Sequence, residues 1–246
     1  KWIAGNINTV TERSYGVPDG VNTGNIGLGI VIDFFGFSSR ASGFPVEFAY
    51  PSVTAVVPAN IGVLKNAPNP EGAKAFIEFL LSPEGQQVLF DPDIMRLPVN
   101  PAAYANAPDG IPNPFEGDEF KASVNFNADL SKQRYNVVNS LFDVMITYRL
   151  NELREAVRAV QLAEIALADT DNAEAKALIA EARGLIEATP VSEEESLSPA
   201  FAAIFQQEAE SDTVEARQAE IEQQWDSVVV ENYARAKALA QQAASL

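Results

Sequence analysis

Four polar residues near the start of the chain could bind a small ligand. Arg13-Ser14-Tyr15 places a guanidinium, a hydroxyl and a phenol beside a turn, and these groups can hold an oxyanion through charge-assisted hydrogen bonds. Asp33 ends an apolar run of strand length, and a polar group at the carboxyl end of a strand in an open α/β sheet usually faces a ligand crevice. Asp33 could equally be a helix cap or a turn residue. Arg13-Ser14-Tyr15 is therefore a candidate anion-binding cluster, and Asp33 is either a ligand contact or a cap or turn residue.

A glycine-rich stretch, NTGNIGLGIVIDFFGF over residues 22–37, raises the question of a nucleotide-binding loop. The dinucleotide fingerprint G-x-G-x-x-G lies after a strand and before a helix, and a phosphate-binding P-loop ends in Lys-Ser or Lys-Thr. Here Gly24, Gly27 and Gly29 precede the predicted strand, and no such lysine pair follows. We interpret the glycines as a tight turn that lets a strand pack against a neighbouring helix.

The absence of cysteine and histidine limits the chemistry open to the chain. Thiol nucleophiles, imidazole bases and the usual zinc and copper ligands are all missing, and Ser-His-Asp catalysis is excluded. No Ser-Lys nucleophile motif replaces them. Acidic groups match no calcium-binding loop and are interpreted as solvated surface, for example Asp91/Asp93, Asp118/Glu119 and residues 193–195. We expect a protein that is not an enzyme and that has no catalytic residues, metal or cofactor.

The formal net charge of −17, from 34 acidic and 17 basic residues, narrows the choice of partners. A nucleic-acid-binding protein needs clustered Lys and Arg to replace the counterions of phosphates, and no such cluster is present. The same charge argues against docking on anionic lipid. No stretch reaches the roughly 18 consecutive apolar residues of a membrane-spanning helix. We therefore expect neither nucleic-acid binding nor membrane insertion.

The first part of the chain has α/β character. Apolar, β-branched runs bounded by turn residues predict strands over 26–35, 46–50, 52–57 and 61–64. Asn69-Pro70-Glu71 supplies a cap and a first-turn proline ahead of a helix over 73–81, and Ser82-Pro83-Glu84 begins a second, shorter helix. Frequent prolines between residues 91 and 129 predict a loop.

From about residue 131 the composition changes to that of amphipathic helices. Apolar residues spaced by three and four predict one long helix, through Phe142, Ile146, Leu150, Leu153, Val157 and Val160. Breaks at 169–172 and 189–199 separate it from a second helix, and a capping box at Ser192, a short helix over 199–208 and a last helix over 213–244 follow. A coiled-coil partner surface is the alternative, but the breaks favour helices that fold back on one another.

Residues 1–107 resemble the carboxyl-terminal portion of bacterial periplasmic solute-binding proteins of ABC transporters. The resemblance rests on Thr9 to Ser14, on the glycine-rich stretch, on Tyr50-Pro51, on NPEGAKAFIEFLLSPEGQ from Asn69, and on Arg96-Leu97-Pro98-Val99. The most similar group takes up ferric ion, phosphonates and phosphorylated solutes. The resemblance implies a two-lobed α/β fold of type II that closes on a small solute by hinge bending. It makes 1–130 part of the solute-binding domain and 131–246 an α-helical extension or cap.

The resemblance also implies a site, partners and a location. Ferric-binding relatives carry adjacent tyrosines where this chain has Phe34-Phe35, and phenylalanine cannot ligate iron. An organic or phosphorylated anion is therefore favoured, with Ser14, Tyr15, Asp33 and Tyr50 as candidate contacts beside Arg13. Iron transport and a helical interaction or sensor-partner protein remain the alternatives. We expect periplasmic localisation and an inner-membrane ABC permease or an associated sensor as partner. The start at Lys1-Trp2 suggests a longer precursor with a signal peptide and further binding-domain sequence.

Overall fold

The computed structural model describes residues 1–116, 126–205 and 212–246, and for residues 212–214 it describes the backbone alone. The chain divides into two compact units. One comprises Thr11–Phe126 and is called the extended unit here; the other comprises Lys1–Val10 with Asn127–Leu246 and is called the helical unit. In the described part of the chain, no helix is both long and apolar enough to cross a membrane.

In the described residues of the extended unit, four α-helices are joined by long irregular segments. They are α1 (Gly16–Asn22), α2 (Asp33–Ala41), α3 (Pro70–Leu81) and α4 (Pro83–Gln87), with short 3₁₀ turns at Val88–Phe90 and Pro101–Asn106. The Asn69 side chain accepts a hydrogen bond from the Gly72 amide at 2.9 Å, and Ser82 caps α4 in the same way. The predicted starts of α3 and α4 are confirmed, because each cap satisfies a backbone donor that a helix start leaves free.

The predicted strands of the extended unit are not formed. Among the described residues no segment forms a β-strand: residues 26–32, 46–50, 52–57 and 61–64 lack a ladder, and 33–35 begin α2. Leu28 and Ile30 are 85% and 68% exposed. Apolar, β-branched composition favours a strand only where a second strand supplies backbone hydrogen bonds and a packed face, and none of the described segments does so here. The predicted α/β class is therefore not what the described residues form.

The described part of the helical unit forms six α-helices and one π-helical turn. They are α5 (Ala128–Phe142), a π-helix (Asp143–Thr147), α6 (Leu150–Ala166), α7 (Ala173–Glu187), α8 (Glu193–Ser196), α9 (Pro199–Ile204) and α10 (Asp212–Ala243). One half of the predicted capping box is confirmed, since the Ser192 hydroxyl oxygen accepts a hydrogen bond from the Glu195 amide. Residues 117–125 of the predicted loop between 91 and 129 lie outside the described residues, and so do Asp118/Glu119 and residues 206–208 of the predicted short helix.

The predicted single helix around residue 150 is wrong in one respect. The π-helix and a break at Arg149, with φ −119° and ψ 26°, divide it into α5 and α6. Apolar spacing alone cannot reveal this division, because the buried residues continue across it. Met145 in the π-helix shows what holds the turn in place: its carbonyl oxygen accepts a 2.8 Å hydrogen bond from the buried Tyr233 hydroxyl of α10.

The core of the helical unit lies where α10 packs along α6 and α7. Leu153 and Val157 of α6, Ile186 of α7 and Tyr233 of α10 are almost completely buried. Phe205 stacks on Trp225 at 5.3 Å between ring centres, which covers one end of this core. The helices after residue 131 thus fold back on one another.

The first ten residues of the chain pack on these helices. The Trp2 indole donates a 2.7 Å hydrogen bond to Glu187, and the Arg183 guanidinium lies 4.3 Å from the centre of its ring. Gly5 lies against Val157 so closely that an added Cβ would be 2.4 Å from a Val157 methyl carbon. Residues 1–10 therefore share the helical core, although the sequence pattern groups them with residues 11–130.

Candidate ligand-binding site

Asp33 and Tyr50 form the polar centre of the candidate site. Asp33 is the first residue of α2, and the Tyr50 hydroxyl donates a hydrogen bond to its Oδ2 at 2.9 Å. The Phe34 amide donates to Oδ1 at 2.8 Å. A carboxylate in the first turn is stabilised by the partial positive charge of the helix start. Asp33 is thus the first residue of a helix, which agrees with the second of its two predicted positions, and it does not end a strand.

Aromatic side chains hold this pair in position. The Phe48 ring packs edge-on against Tyr50, with centroids 4.9 Å apart, and against Phe37 at 5.1 Å. Gly36 makes this approach possible, because an added Cβ would lie 2.3 Å from the Phe48 ring. Phe37 also packs against the Tyr50 ring, at 6.3 Å, and these two contacts limit the rotation of the Tyr50 side chain, so its hydroxyl is directed at Asp33.

Arg96 is the site residue that sequence reasoning missed as a ligand contact. Its guanidinium carbon lies 3.4 Å from the centre of the Phe34 ring, within the range of a cation–π interaction. One Nη donates to the Ile94 carbonyl at 3.0 Å, which leaves further N–H donors available. Its sequence signal is a charged residue inside the apolar stretch IMRLPV.

The backbone before Arg96 is strained. Met95 is buried and has φ +45°, a left-handed conformation that costs a non-glycine residue energy. Hydrogen bonds on both sides keep it there: the Met95 amide donates to Asp91 and the Arg96 amide donates to Leu89, at 2.8 and 2.9 Å. This fixed conformation sets the direction in which the Arg96 side chain leaves the backbone.

Tyr104 contacts the segment that carries Arg96, and the charge of Asp33 affects the pKa of its phenol. Its hydroxyl donates to the Pro98 carbonyl at 3.0 Å, and its ring packs between Phe90 and Phe115. Burial, and to a smaller extent the negative charge of Asp33, raise the pKa of the Tyr104 phenol. Tyr104 therefore remains a neutral hydrogen-bond donor throughout the physiological pH range.

The structure brings together some of the predicted site residues. The Tyr15 ring is 68% exposed and packs edge-on against Phe35, at 5.0 Å and 81°, two residues after Asp33. Arg13 and Ser14 are exposed, and neither side chain has a hydrogen-bond partner among the described residues. Tyr15, Asp33 and Tyr50 thus gather at the start of α2, and the Arg13-Ser14 cluster remains a prediction.

The glycine-rich stretch forms a turn after α1. Gly24 has φ +75°, which lets the chain reverse two residues beyond the end of that helix. The stretch then continues as the exposed extended segment that leads into α2. The interpretation as a turn is confirmed, and the segment that follows the turn is extended without forming a strand.

Part of the chain, which includes the predicted site residues, matches a known protein family. Residues 3–87 match the model of the family described as bacterial extracellular solute-binding protein. The predicted site residues from Arg13 to Tyr50 lie inside this range, whereas Arg96 and Tyr104 lie beyond it.

Two curated relatives extend the comparison. They are the phosphoglycerate transport regulatory proteins PgtC of Salmonella typhimurium and Salmonella typhi, each 34% identical over 190 residues. The matched part is 77% of this chain and 44% of each relative, so the chain spans less than half the length of either. No solved structure gives a significant match.

Proposed function

We propose that this chain is part of a solute-binding protein of a bacterial uptake system, and that it binds a phosphorylated or carboxylated solute without making or breaking covalent bonds. The observation that carries the proposal is the guanidinium of Arg96, stacked on Phe34 beside the hydrogen-bonded Asp33–Tyr50 pair. A preorganised guanidinium recognises phosphate or carboxylate oxygens through paired N–H donors.

The solute class follows from the mixed polarity of the site. Arg96 supplies positive charge, whereas Asp33 would repel an anionic group and instead accept a hydrogen bond from a hydroxyl. A small phosphorylated hydroxy acid carries both kinds of group at short separation, and the name of the curated relatives, phosphoglycerate transport regulatory protein, favours the same class. Tyr15 and the exposed Arg13-Ser14 pair would add contacts to the same solute.

The proposed fold is the two-lobed α/β fold of type II, with the helical unit as its extension. Exposed apolar segments such as 28–32 and 61–64 have the composition of strands, and in a sheet they would gain backbone partners and cover their side chains. Closure of two lobes would couple affinity for the solute to a change of shape. Such a change is what a permease or a sensor could detect.

A regulatory function is the second candidate, and one observation favours it. The curated relatives are named as regulators of transport, and they align with 77% of this chain, which includes part of its helical unit. Solute binding would then be reported to a sensor at the membrane in place of, or beside, delivery to an ABC permease. Both versions place the protein in the periplasm. Iron transport is disfavoured, because Phe34 and Phe35 have no oxygen that could bind Fe³⁺.

Thermal unfolding of the full chain with a ligand panel tests the proposal. The panel contains 2- and 3-phosphoglycerate, phosphonates, phosphorylated sugars, polyamines and Fe³⁺, with glycerate as the control without phosphate. A solute at a hundred times its dissociation constant stabilises the folded state by about 2.7 kcal/mol. Arg96→Ala should raise the dissociation constant for phosphorylated solutes about tenfold or more, which lowers the stabilisation at the same solute concentration to about 1.4 kcal/mol or less. Arg40→Ala is the matched control. Arg40 lies on α2, but its guanidinium faces Glu47 at 3.9 Å, so this variant should respond like the wild type.

The outcomes separate the candidates. If no member of the panel shifts the melting temperature, solute binding by this chain is contradicted and the alternative of a helical interaction protein is favoured. A shift with Fe³⁺ alone would favour iron transport. Equal responses from Arg96→Ala and the wild type would exclude Arg96 from the site, whichever solute binds.

A further inference from the structure

A long groove on the helical unit has no assigned role. Its volume is about 670 Å³, and its residues come from the first turn of the chain and from one face of α6. Gly5 and Asn6 form one wall, and the close packing of Gly5 on Val157 fixes that wall against α6. The groove lies wholly within the helical unit, remote in sequence from the Asp33 site.

The face of α6 in this groove has the pattern of a helix-packing seam. Its residues are spaced by three, four, four and three: Asn151, Arg154, Arg158, Leu162 and Ile165. The outermost residues are 14 positions apart, which corresponds to about 21 Å along the helix axis. A groove of this length exceeds the size of a three-carbon solute several times over, and a stripe of this spacing is the surface against which another helix packs.

The charges of the groove indicate what kind of helix fits it. Arg154 and Arg158 have no carboxylate partner among the described residues, whereas the other arginines of the helical unit each pair with one: Arg134, Arg149, Arg183, Arg217 and Arg235. Glu155, the acidic residue of the groove, is already engaged by Lys237 at 2.8 Å. Two unpaired cations four residues apart destabilise an isolated helix, so local stability does not explain them.

The other end of the stripe is apolar. Leu162 and Ile165 are 56% and 72% exposed, one to three turns beyond the arginines. A single surface therefore changes from cationic to apolar along its length. Because the chain itself has a net charge of −17, an acidic partner would meet attraction at this groove and repulsion over most of the remaining surface.

We propose that the groove docks an amphipathic helix of a partner protein, with acidic side chains facing Arg154 and Arg158 and apolar side chains facing Leu162 and Ile165. The inference deepens the proposed association with a membrane partner, and it does not depend on solute binding. Asn151 and Asn6 supply amide groups that can hydrogen-bond to the acidic end of the docked helix.

The test uses two fluorescein-labelled helical peptides of about 18 residues, long enough to cover the groove. Each carries two glutamates one turn apart and two leucines on the same face, and the two peptides differ in whether the acidic turn comes first or last. Fluorescence anisotropy measures binding to the full chain. We expect one peptide to bind, with an affinity that falls as sodium chloride is added.

Matched variants locate the binding. Arg154→Ala/Arg158→Ala should weaken binding about tenfold, as the loss of two exposed ion pairs predicts, and Leu162→Ala should weaken it by about threefold or more. Arg217→Ala, which removes an exposed arginine of α10 paired with Glu220, should bind like the wild type. Circular dichroism confirms that each variant is folded.

Other outcomes overturn the proposal. If neither peptide binds, or if the double variant binds as well as Arg217→Ala, the groove does not dock an acidic helix. If inorganic phosphate raises the melting temperature of the wild type but not of the double variant, the groove is a small-anion site. Self-association that the double variant loses would assign it to a second copy of the chain. Failure of the solute panel would leave these peptide results unchanged, so the two proposals can fail separately.

Discussion

The hydroxyl of Tyr50 donates a hydrogen bond to Asp33 Oδ2 at 2.9 Å and joins the start of α2 to an irregular segment 17 residues further along the chain. Segments without a β-ladder have few backbone bonds to hold them, so side-chain contacts of this kind determine their position. The same bond leaves the Asp33 carboxylate oriented, with acceptor capacity that a solute hydroxyl could use.

Tyr50→Phe should therefore change both stability and binding. A hydrogen bond to a charged group contributes about 1.5–3 kcal/mol, and partial exposure places this one near the lower end. We expect a reduced midpoint in urea unfolding with an unchanged slope. Tyr15→Phe, which keeps the ring that packs on Phe35, is the control and should unfold like the wild type. An unchanged midpoint in Tyr50→Phe would mean that the bond does not hold the segment.

Asp33→Asn separates the two roles of Asp33. Asparagine keeps one acceptor oxygen for the Phe34 amide, and its NH₂ group can donate to the Tyr50 hydroxyl, which reverses the direction of that bond. Only a small loss of stability is therefore expected from the weaker interaction with the helix start, about 0.3–1 kcal/mol. If Asp33 contacts a solute hydroxyl, the thermal shift with that solute should fall by a larger amount. If Asp33→Asn lowers the stability and the solute-induced thermal shift by equally small amounts, Asp33 acts only at the start of α2.

Features that depend on neighbouring residues could be predicted from the sequence. The helix starts after Asn69, Ser82 and Ser192 follow from a cap side chain that bonds to an amide three residues on, so a few letters of sequence contain the whole interaction. The turn at Gly24 is of the same kind, because a positive φ is a local property of glycine.

Features that depend on distant partners could not be predicted. A β-strand forms only where a second strand supplies backbone hydrogen bonds. The apolar segment 26–32 has the composition of a strand but has no such partner among the described residues. Arg96 finds its partner Phe34 across 62 positions, and the strained Met95 that directs it has no local signature. The π-helix is held by Tyr233 from another helix, 88 residues from Met145.

Tyr233→Phe tests the bond that holds the π-helix. The variant leaves the Met145 carbonyl without its donor in the core, which should cost about 1–3 kcal/mol at neutral pH. Urea unfolding measures this loss. Tyr148→Phe, an exposed position just beyond the π-helix, is the control and should be neutral. Unchanged stability of Tyr233→Phe would mean that the π-helix is held by packing alone.

The same residue should affect stability at high pH. Burial raises the pKa of the Tyr233 phenol above its ordinary value of 10.0. The folded state therefore retains a proton that the unfolded state loses, so stability falls as pH rises above about 10. Tyr233→Phe should show a shallower decline in this range. Parallel alkaline profiles of the variant and the wild type would contradict the burial of an un-ionised phenol at this position.

The ion pair between Arg149 and Asp226 should make the stability of the folded state fall at low pH. The guanidinium donates two hydrogen bonds to the carboxylate, at 2.6 and 2.7 Å, and these bonds, followed by the positive charge, lower the pKa of Asp226 below its ordinary value of 3.8. A lowered pKa in the folded state contributes stability above the ordinary value, and this contribution is lost as pH falls through the folded value. Both side chains are partly exposed, so we expect about 1 kcal/mol at neutral pH.

Asp226→Asn should accordingly lower stability at pH 7 and flatten the loss of stability below about pH 4. Denaturant unfolding at a series of pH values measures both effects. Asp169→Asn changes an exposed carboxylate with no ion pair among the described residues, so its profile should follow the wild type. If both variants retain the wild-type slope in acid, the Arg149 pair does not contribute to stability.

Two glycines of the helical unit should respond in opposite directions to alanine. Gly5→Ala forces a methyl group to within 2.4 Å of a side-chain carbon of the fully buried Val157, and overpacking of this kind costs about 1–3 kcal/mol. Gly184 lies exposed on α7 with open space at its Cβ position, so Gly184→Ala should stabilise the protein by about 0.5–1 kcal/mol through a lower entropy of the unfolded chain. Both changes add the same methyl group, so urea unfolding in which Gly5→Ala stabilised the protein as Gly184→Ala does would show that residues 1–10 do not pack on α6 in solution.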